Sequence, residues 1–428
     1  MFTLITFIIA ISILVFVHEL GHYLAARAVG VKVLEFSIGF PPRAWGKKIG
    51  DTEYILSWIP VGGYVRLLGQ DPEDENPDEE GNYASKTALQ RLFILVAGAA
   101  MNLLFAWIFF VMLFMSGFER PAYLESAPIL AAATPGSAAE EAGLTEGDRI
   151  LSVDGLPTQN WREVTDRMAA AIDGKVELKI GRQGQAFLAR LEPATGAESG
   201  LGLEPWVDPV IGKVTEEAPA ERAGLMSGDE LKAIDDQPVH HWGQITPLIQ
   251  EKKGQPFKLH YLRDGRLLET QIAPEFNQQL GYWIIGLSQR TIHQSYGAGE
   301  AVSRGYDRAI FLTEQTFGFL GQLFSGQANK DALGGPIMIA QMVGKAAKNS
   351  LGDLLALMGF ISLQLGIFNL FPFPALDGGH VLLLAIEKLK GGPLSRPVRE
   401  KLQRVGFSVL MLLILYISIQ DGLRLFAQ

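Results

Sequence analysis

The first apolar segment of the chain carries ionisable side chains in its interior. Residues 2–26 contain one charged residue, Glu19, within the sequence His18-Glu19-Leu20-Gly21-His22. An apolar stretch of this length predicts a helix that crosses a bilayer. Ionisable groups inside such a helix are energetically costly and usually mark a functional site. The segment therefore predicts a membrane helix that also carries chemistry.

Further apolar segments predict a multi-pass α-helical membrane protein with four transmembrane helices, at residues 1–29, 92–118, 351–386 and 402–422. Lys and Arg side chains follow the first helix and also the third. By the positive-inside rule, these flanks and residues 30–91 lie in the cytoplasm, and the N-terminus lies outside. No Lys or Arg precedes Arg27, which argues against a cleaved signal peptide. His18–His22 in the first helix and Asp377 in the third then fall in the cytoplasmic half of the bilayer.

The spacing of the two histidines predicts a metal site. Residues four apart lie on one face of a helix, so His18 and His22 can bind one Zn²⁺ through their imidazole nitrogens. Glu19, next to them, can act as a general base on a zinc-activated water. The alternative is a polar helix end that binds no metal.

A catalytic zinc site needs a third protein ligand. The best candidate is Asp377, in a segment where Pro372, Pro374 and Gly378-Gly379 interrupt the third apolar helix. Irregular backbone at membrane depth is tolerated only where it lines a cavity or is buried in protein. His380 is a weaker candidate ligand. The alternative is an ordinary kinked helix with Asp377 at the membrane interface.

Composition excludes some classes of function. The chain has 428 residues and a formal net charge of −9, which argues against a nucleic-acid partner. It has no cysteine, so neither a disulfide nor a thiolate ligand is available.

Between the second and third apolar helices the sequence repeats itself with an offset of 81 residues. Ala142-Gly143-Leu144 matches Ala223-Gly224-Leu225, and Trp161 matches Trp242. A period this long indicates two copies of one domain, at residues 121–200 and 201–278. The pattern resembles PDZ domains, which bind extended peptides or C-termini by strand addition. The second copy also contains His240 and His241, which we expect to be surface histidines.

Three further regions have simpler interpretations. Residues 52–67 are rich in β-branched and aromatic types, and predict a β-hairpin that turns at Pro60 and Gly62-Gly63. Residues 71–80 are strongly acidic and predict a solvated loop. Residues 290–350 alternate apolar and polar side chains at near-helical spacing, which predicts amphipathic helices on the membrane surface.

The paired motifs resemble those of the site-2 protease family of intramembrane zinc metalloproteases. They are HExxH in a first membrane helix and N-x-x-P-x-P-x-L-D-G in a late one. The resemblance covers nearly the whole chain. It implies four membrane helices, a cytoplasmic β-hairpin that dips into the membrane, and two tandem periplasmic PDZ domains. A plain cytoplasmic hairpin that only packs the domain is the open alternative.

The resemblance also implies roles for individual residues. His18, His22 and Asp377 would be ligands of one Zn²⁺ per chain, with Glu19 as the base. Asn369 would hold the substrate backbone or polarise the scissile carbonyl. Further substrate-contacting residues would come from the loop, the hairpin and the second helix: Pro372, Pro374, Gly62, Gly63, Tyr64 and Asn102. The family often has G-P-x-x-N in the second helix, and here the proline is absent between Gly98 and Asn102. An interhelical hydrogen bond is an equal alternative for Asn102.

These features predict a zinc endopeptidase in a bacterial inner membrane. Its substrates would be single-pass membrane proteins, cut within their transmembrane segments during regulated intramembrane proteolysis. The resemblance implies an anti-sigma factor of envelope stress signalling, and also remnant signal peptides. The lipid bilayer and peptide ligands of the PDZ domains are the other expected partners. The main alternative is a membrane-anchored PDZ scaffold without protease activity. A transporter is disfavoured, because the four helices show no internal symmetry.

Overall fold

The computed structural model describes residues 1–70, 79–170, 175–192, 201–278, 280–326, 334–392 and 394–426. The chain forms two compact units. The first combines Met1–Phe118 with Gln294–Gln428, and the second is Glu119–His293. Most of the predicted acidic loop, residues 71–78, lies outside the described residues.

The first unit begins with two long apolar helices separated by two strands. These elements are α1 (Phe2–Ala28), β1 (Val33–Ile49), β2 (Thr52–Leu67) and α2 (Ala88–Ser116). A capping box of Thr87 and Gln90 starts α2, because each residue bonds the other's backbone N–H. The two helices approach closely, since a Cβ on Gly21 of α1 would clash with the carbonyl of Ala97 in α2. Glycine at this crossing therefore sets how near the first helix lies to the second.

The predicted hairpin is larger than residues 52–67 and turns elsewhere. β1 and β2 pair antiparallel, and the turn between them falls at Gly50 and Asp51, where Gly50 has a φ of 61°. The prediction of a turn at Pro60 and Gly62-Gly63 was wrong. Those residues lie within β2. The part of β2 before them pairs with one side of β1, and the part after them pairs with the other side. The Gly-Asp pair at residues 50–51 is a weaker turn signal than a proline followed by two glycines. The turn was therefore predicted at the stronger signal.

The register places one stretch of β1 between two parts of β2. Phe36 is paired both with Tyr54 and with Val65. Residues 33–38 are thus flanked by 53–56 on one side and 63–67 on the other. The outer side of residues 63–67 pairs with no other strand in the part of the chain that the structure describes. This free strand edge is relevant to the site described below.

The second unit contains short strands and helices. In chain order they are β3 (Phe118–Pro121), β4 (Leu130–Ala133), α3 (Ala138–Glu141), β5 (Arg149–Val153), β6 (Leu156–Pro157), α4 (Trp161–Ala170), β7 (Val176–Arg182), β8 (Gln185–Leu191), β9 (Leu203–Pro205), β10 (Ile211–Val214), α5 (Pro219–Arg222), β11 (Glu230–Ile234), β12 (Gln237–Pro238), α6 (Ile245–Lys252), β13 (Phe257–Arg263), β14 (Arg266–Ile272), β15 (Glu275–Asn277), β16 (Tyr282–Ile284), β17 (Leu287–Gln289) and β18 (Thr291–Gln294). Two 3₁₀ turns, Ala122–Glu125 and Trp242–Gln244, complete it.

Two four-stranded sheets in this unit have the same internal order, β6-β5-β7-β8 and β12-β11-β13-β14. A separate two-stranded pairing accompanies each of them, β4 with β9 and β10 with β17. The strand β9 lies beyond residue 200 and β17 lies beyond residue 278. Each half therefore extends past the boundary expected from sequence, because its last strand returns to pair with its first.

The same buried ion pair recurs in both halves. Asp148 is buried, accepts two hydrogen bonds of 2.6 Å from Arg182, and accepts a third from the Thr145 N–H. Asp229 and Arg263 repeat this pairing 81 residues later, with two bonds of 2.7 Å. Burial raises the pKa of Asp148, but the bonds from Arg182 and Thr145 outweigh burial and hold that pKa below its usual value. Each half is thus closed by a charge-assisted contact between its turn and its sheet.

The two adjacent histidines of the second half differ in exposure. His240 is exposed, as expected. His241 is only 5% exposed, so its prediction as a surface residue was wrong. Its ring packs on Trp206 with a centroid distance of 5.5 Å, and Trp242 N–H donates to the carbonyl of Val207. The segment that joins the two halves covers this histidine, which local sequence could not indicate.

The chain ends with five helices that complete the first unit. They are α7 (Ala298–Phe324), α8 (Pro336–Asn349), α9 (Leu351–Asn369), α10 (Asp377–Lys390) and α11 (Arg396–Phe426). Among the described residues, four helices are long and apolar enough to cross a membrane: Phe2–Ala28, Ala88–Ser116, Leu351–Asn369 and Pro397–Leu423. The third predicted segment, 351–386, is divided into α9 and α10 by an irregular stretch.

A carboxylate links the last helix to an earlier one. Asp421 in α11 is 4% exposed and accepts hydrogen bonds of 3.1 Å from the N–H groups of Gly335 and Met338. These groups belong to the first turn of α8, which has few partners for its N–H groups. Asp421 therefore caps α8 from another helix.

Candidate metal centre

Three potential ligand atoms from distant parts of the sequence converge in the first unit. His18 and His22 lie one turn apart on α1, with their Nε2 atoms 3.3 Å apart. Asp377 opens α10, and its Oδ2 lies 3.2 Å from His18 Nε2 and 3.4 Å from His22 Nε2. A triangle of nitrogen, nitrogen and oxygen atoms results, with nearly equal sides.

The dimensions of this triangle fit a zinc ion. Tetrahedral zinc with bonds of about 2.0–2.2 Å holds its ligand atoms about 3.3 Å apart. Asp377 Oδ2 is buried and has no hydrogen-bond partner among the described residues. The N–H on His22 Nδ1 donates to the Ile94 carbonyl at 2.8 Å, which leaves the lone pair of Nε2 free for a metal. The residues present therefore suit zinc, with two imidazoles and one carboxylate facing a common point.

The irregular stretch between α9 and α10 places Asp377. Gly378 and Gly379 follow it in the first turn of α10, and a Cβ on either would clash with the carbonyl of Phe371 or Phe373. The loop can fold back against the start of α10 only because both residues are glycine. This close packing brings the Asp377 carboxylate to the histidines.

The other motif residues of this stretch do not line the cavity at the ligand triangle. Asn369 ends α9, is partly buried, and is not among the residues lining the cavity described below. Pro372 is exposed. Pro374 packs against α11, since a Cβ added to Gly406 of α11 would lie 2.8 Å from the Cβ of Pro374. Shaping of the loop by the prolines and substrate contact by these three residues both stay predictions.

A cavity of about 180 Å³ opens on the triangle. Its lining residues are His18, Glu19, His22, Tyr64, Val65, Leu67, Gln70, Tyr83, Ile94, Leu95, Asp377 and His380. Glu19 therefore shares the space onto which the three ligand atoms face. A general base must reach the proton that it removes, and this placement meets that requirement.

The hairpin residues named from sequence take different positions. Tyr64 lines the cavity and donates its hydroxyl to Glu35 at 2.8 Å. Gly63 lies against the base, because a Cβ there would come within 3.2 Å of Glu19 Cγ. Gly62 has a φ of 116° and packs on the ring of Phe40, away from the cavity. The free edge of residues 63–67 therefore runs beside Glu19.

Helix α2 supports both imidazoles. A Cβ on Gly98 would overlap His22 Nε2, one of the candidate ligand atoms, and would lie 2.8 Å from His18 Cε1. Only glycine leaves room for the two rings at this position. Asn102, one turn later, is 0% exposed and lies 3.2 Å from His18 Nδ1 through its Nδ2. The sequence singled out Asn102, and it gave Gly98 no role of its own.

Known proteins match almost the entire chain. The model of a family described as peptidase family M50 matches residues 6–413. The chain belongs to peptidase family M50, the site-2 type of zinc metalloprotease. The regulator of sigma-E protease RseP from Salmonella typhimurium is 34% identical, over 99% of this chain and 99% of its own. RseP from Escherichia coli is 32% identical, over 99% of this chain and 98% of its own. A solved PDZ domain of an SdrC-like protein from Listeria innocua covers 19% of this chain and 92% of its own, with 25% identity and a TM-score of 0.18.

Two residues at the site of this M50 peptidase were missed from sequence. Gln70 and Tyr83 line the cavity from the two ends of the acidic segment. Burial raises the pKa of the Tyr83 phenol to about 12, so it remains a neutral hydrogen-bond donor. An isolated glutamine and tyrosine in a polar stretch carry no pattern, so no sequence signal would have indicated them.

Proposed function

We propose that this M50 peptidase is an intramembrane endopeptidase that uses one zinc ion per chain to cut the transmembrane segments of single-pass proteins. The observation that carries the proposal is the position of the ligand triangle. Two of its members lie in α1, which is apolar and long enough to cross a membrane. The third begins a helix directly after another such span. A peptide bond cut here would be one that has entered the bilayer.

The side chains around the cavity have different roles in the proposed hydrolysis. Zinc, when bound, supplies a Lewis acid that makes a water nucleophilic near neutral pH and polarises a carbonyl. The Glu19 carboxylate accepts the proton of the attacking water and passes it to the departing amine. Asn369 is proposed to hold the substrate backbone near the scissile carbonyl, by a side-chain movement of the partly buried amide.

Substrate presentation is proposed to use the free strand edge. A helical peptide bond is shielded by its own backbone hydrogen bonds, so a substrate segment must be extended before it is cut. The outer edge of residues 63–67 pairs with no further strand among the described residues and lies beside Glu19, so an extended segment can add to it as a further strand. Tyr64 and Gly63 would then contact the substrate through this edge.

The predicted topology and the relatives support a proposal for the cellular setting. We place the protein in a bacterial inner membrane, with the N-terminus and the second unit in the periplasm. The two halves of the second unit are proposed to be tandem PDZ domains that take peptide or C-terminal ligands. Because the relatives named above are regulators of sigma-E, an anti-sigma factor is the proposed substrate, with remnant signal peptides as a second group. Binding to nucleic acid is not expected.

Cleavage in proteoliposomes tests the proposal. Wild type, Glu19→Gln and Asp377→Ala are each reconstituted with a tagged single-pass substrate, and zinc content is measured on the same preparations. Glu19→Gln should retain zinc and lose cleavage, because only the base is removed. Asp377→Ala should lose both.

Glu251→Gln is the matched control, because this glutamate lies in α6 and is exposed. It should cut like wild type, and a zinc chelator should stop cleavage by both proteins. Unimpaired turnover by Glu19→Gln would show that the assigned base is wrong. Stoichiometric zinc in Asp377→Ala would remove Asp377 from the ligand set.

A further inference from the structure

The side chain of Asn102 is buried between helices, next to a candidate metal ligand. Its side chain is 0% exposed in α2, and its backbone carbonyl accepts a 2.8 Å hydrogen bond from the Ser362 hydroxyl in α9. Its side-chain amide faces Nδ1 of His18 at 3.2 Å. The Oδ1 atom of the same amide is buried without a partner among the described residues. Of the two roles that the sequence left open for Asn102, substrate contact and an interhelical hydrogen bond, this contact between α2 and α1 favours the second.

The proton positions on the two imidazoles decide what this contact does. Both histidines direct Nε2 at Asp377 Oδ2, so both need the Nε2 lone pair free and the hydrogen on Nδ1. His22 meets this condition by donating from Nδ1 to the Ile94 carbonyl. His18 needs an acceptor at the equivalent place, and Asn102 is the polar group found there.

The amide of Asn102 can supply that acceptor. Its oxygen and nitrogen are nearly equal in size, and the hydrogen-bond network decides which of them faces a partner. A half-turn of the amide brings Oδ1, otherwise without a partner, to the N–H on His18 Nδ1. The turn requires no change in the packing of α2.

The contacts along α2 follow a single face. Ile94, Gly98 and Asn102 are each four residues apart, which places them one above another on a helix. Ile94 receives the His22 hydrogen, Gly98 makes room for both rings, and Asn102 meets His18. One face of α2 therefore contacts the two imidazoles of α1 at three successive helical turns.

We infer that Asn102 is a positioning residue whose amide oxygen accepts the Nδ1 hydrogen of His18 and so fixes that imidazole for zinc binding through Nε2. The inference rests on the zinc site proposed above. Partners of this kind orient the ligand ring and raise its basicity, and their loss typically weakens metal affinity about 10- to 100-fold.

Zinc affinity of the purified full-length protein tests the inference, measured by competition with a coloured chelator. Asn102→Leu keeps the volume of the side chain but removes the acceptor, and should weaken zinc binding about 10- to 100-fold. Asn102→Asp keeps an acceptor and should bind zinc within a few-fold of wild type. Ser362→Ala, which removes only the bond to the Asn102 carbonyl, is the matched control and should bind zinc like wild type.

The outcomes separate this inference from the proposed function. If wild type binds no zinc, the metal centre itself is wrong and the inference fails with it. If wild type binds zinc and Asn102→Leu binds it equally tightly, the inference alone is overturned. If Asn102→Leu does not fold, Asn102→Asp decides, because a folded Asn102→Asp that loses zinc affinity tenfold would contradict a role based on an acceptor. The melting temperature of each metal-free variant shows whether packing changed, since a purely structural role would alter it without altering zinc affinity.

Discussion

Replacing Gly98 by alanine should disable zinc binding while leaving the fold largely intact. Ordinary contact distances begin at 3.4 Å, whereas the added Cβ would overlap His22 Nε2 and lie 2.8 Å from His18 Cε1. The His18 ring or its helix must therefore move by about 0.6 Å, and the His22 ring must move further. Metal–ligand distances tolerate deviations of only about 0.2 Å. We expect the affinity for zinc to fall at least about 100-fold, which corresponds to about 2.7 kcal/mol.

The comparison that isolates this effect is Gly366→Ala. A Cβ on Gly366 would lie 2.7 Å from Leu103 Cδ2, at the flexible end of a side chain, and 3.1 Å from the Ala99 carbonyl, and none of its three nearest neighbours belongs to a metal ligand. Both substitutions overpack a helix contact, which typically lowers stability by about 1–3 kcal/mol. Zinc competition and thermal unfolding are measured on both variants. Equal zinc affinity of Gly98→Ala and Gly366→Ala would refute the reasoning, because the crowding of the imidazoles would then have no consequence.

Three further predictions concern other parts of the chain. Asp421→Ala should lower the stability of the detergent-solubilised protein by about 1 kcal/mol through loss of the cap on α8, and Asp421→Asn by less; thermal unfolding measures both. In the folded protein the pKa of Asp148 lies below its ordinary value of 3.8. The pairing of Asp148 with Arg182 therefore stabilises the fold fully above pH 3.8, and this stabilisation is lost as the pH falls through the lower pKa of the folded state. Acid titration followed by near-UV circular dichroism should therefore show a weaker pH dependence for Asp148→Asn. Gly63→Ala should lower turnover but retain zinc, because its Cβ would lie 3.2 Å from Glu19 Cγ and 2.8 Å from the Ser37 carbonyl; parallel zinc and cleavage assays check this.

The ligand triangle was predictable because each part has a local signal with a physical reason. The spacing of His18 and His22 fixes a helix face, and their position in an apolar segment makes accidental ionisable groups improbable. Asp377 stands out because proline and glycine interrupt a helix at membrane depth. The structure places these three side chains together, and their binding of zinc stays a prediction until metal is measured.

The features that the sequence did not predict depend on how helices are rotated about their axes and on which distant strands pair. Gly98 and Asn102 contact α1 because α2 is rotated about its axis so that their face points towards α1. Hydropathy does not specify this rotation. The turn at Gly50 was hidden by a stronger proline and glycine signal further along. The strands β9 and β17 are three residues long, and only their pairing with β4 and β10 shows where each half ends. His241 looked like a surface residue because the segment that buries it lies over 30 residues earlier in the chain.

The most direct test of the account is the position of the cut. A single-pass substrate is incubated with wild type or Glu19→Gln in proteoliposomes, and both product ends are determined by mass spectrometry. The account predicts a zinc-dependent cut within the apolar segment of the substrate by wild type and no cut by Glu19→Gln. A cut confined to residues outside the apolar segment, or equal cutting by both proteins, would contradict an intramembrane peptidase that uses Glu19 as its base.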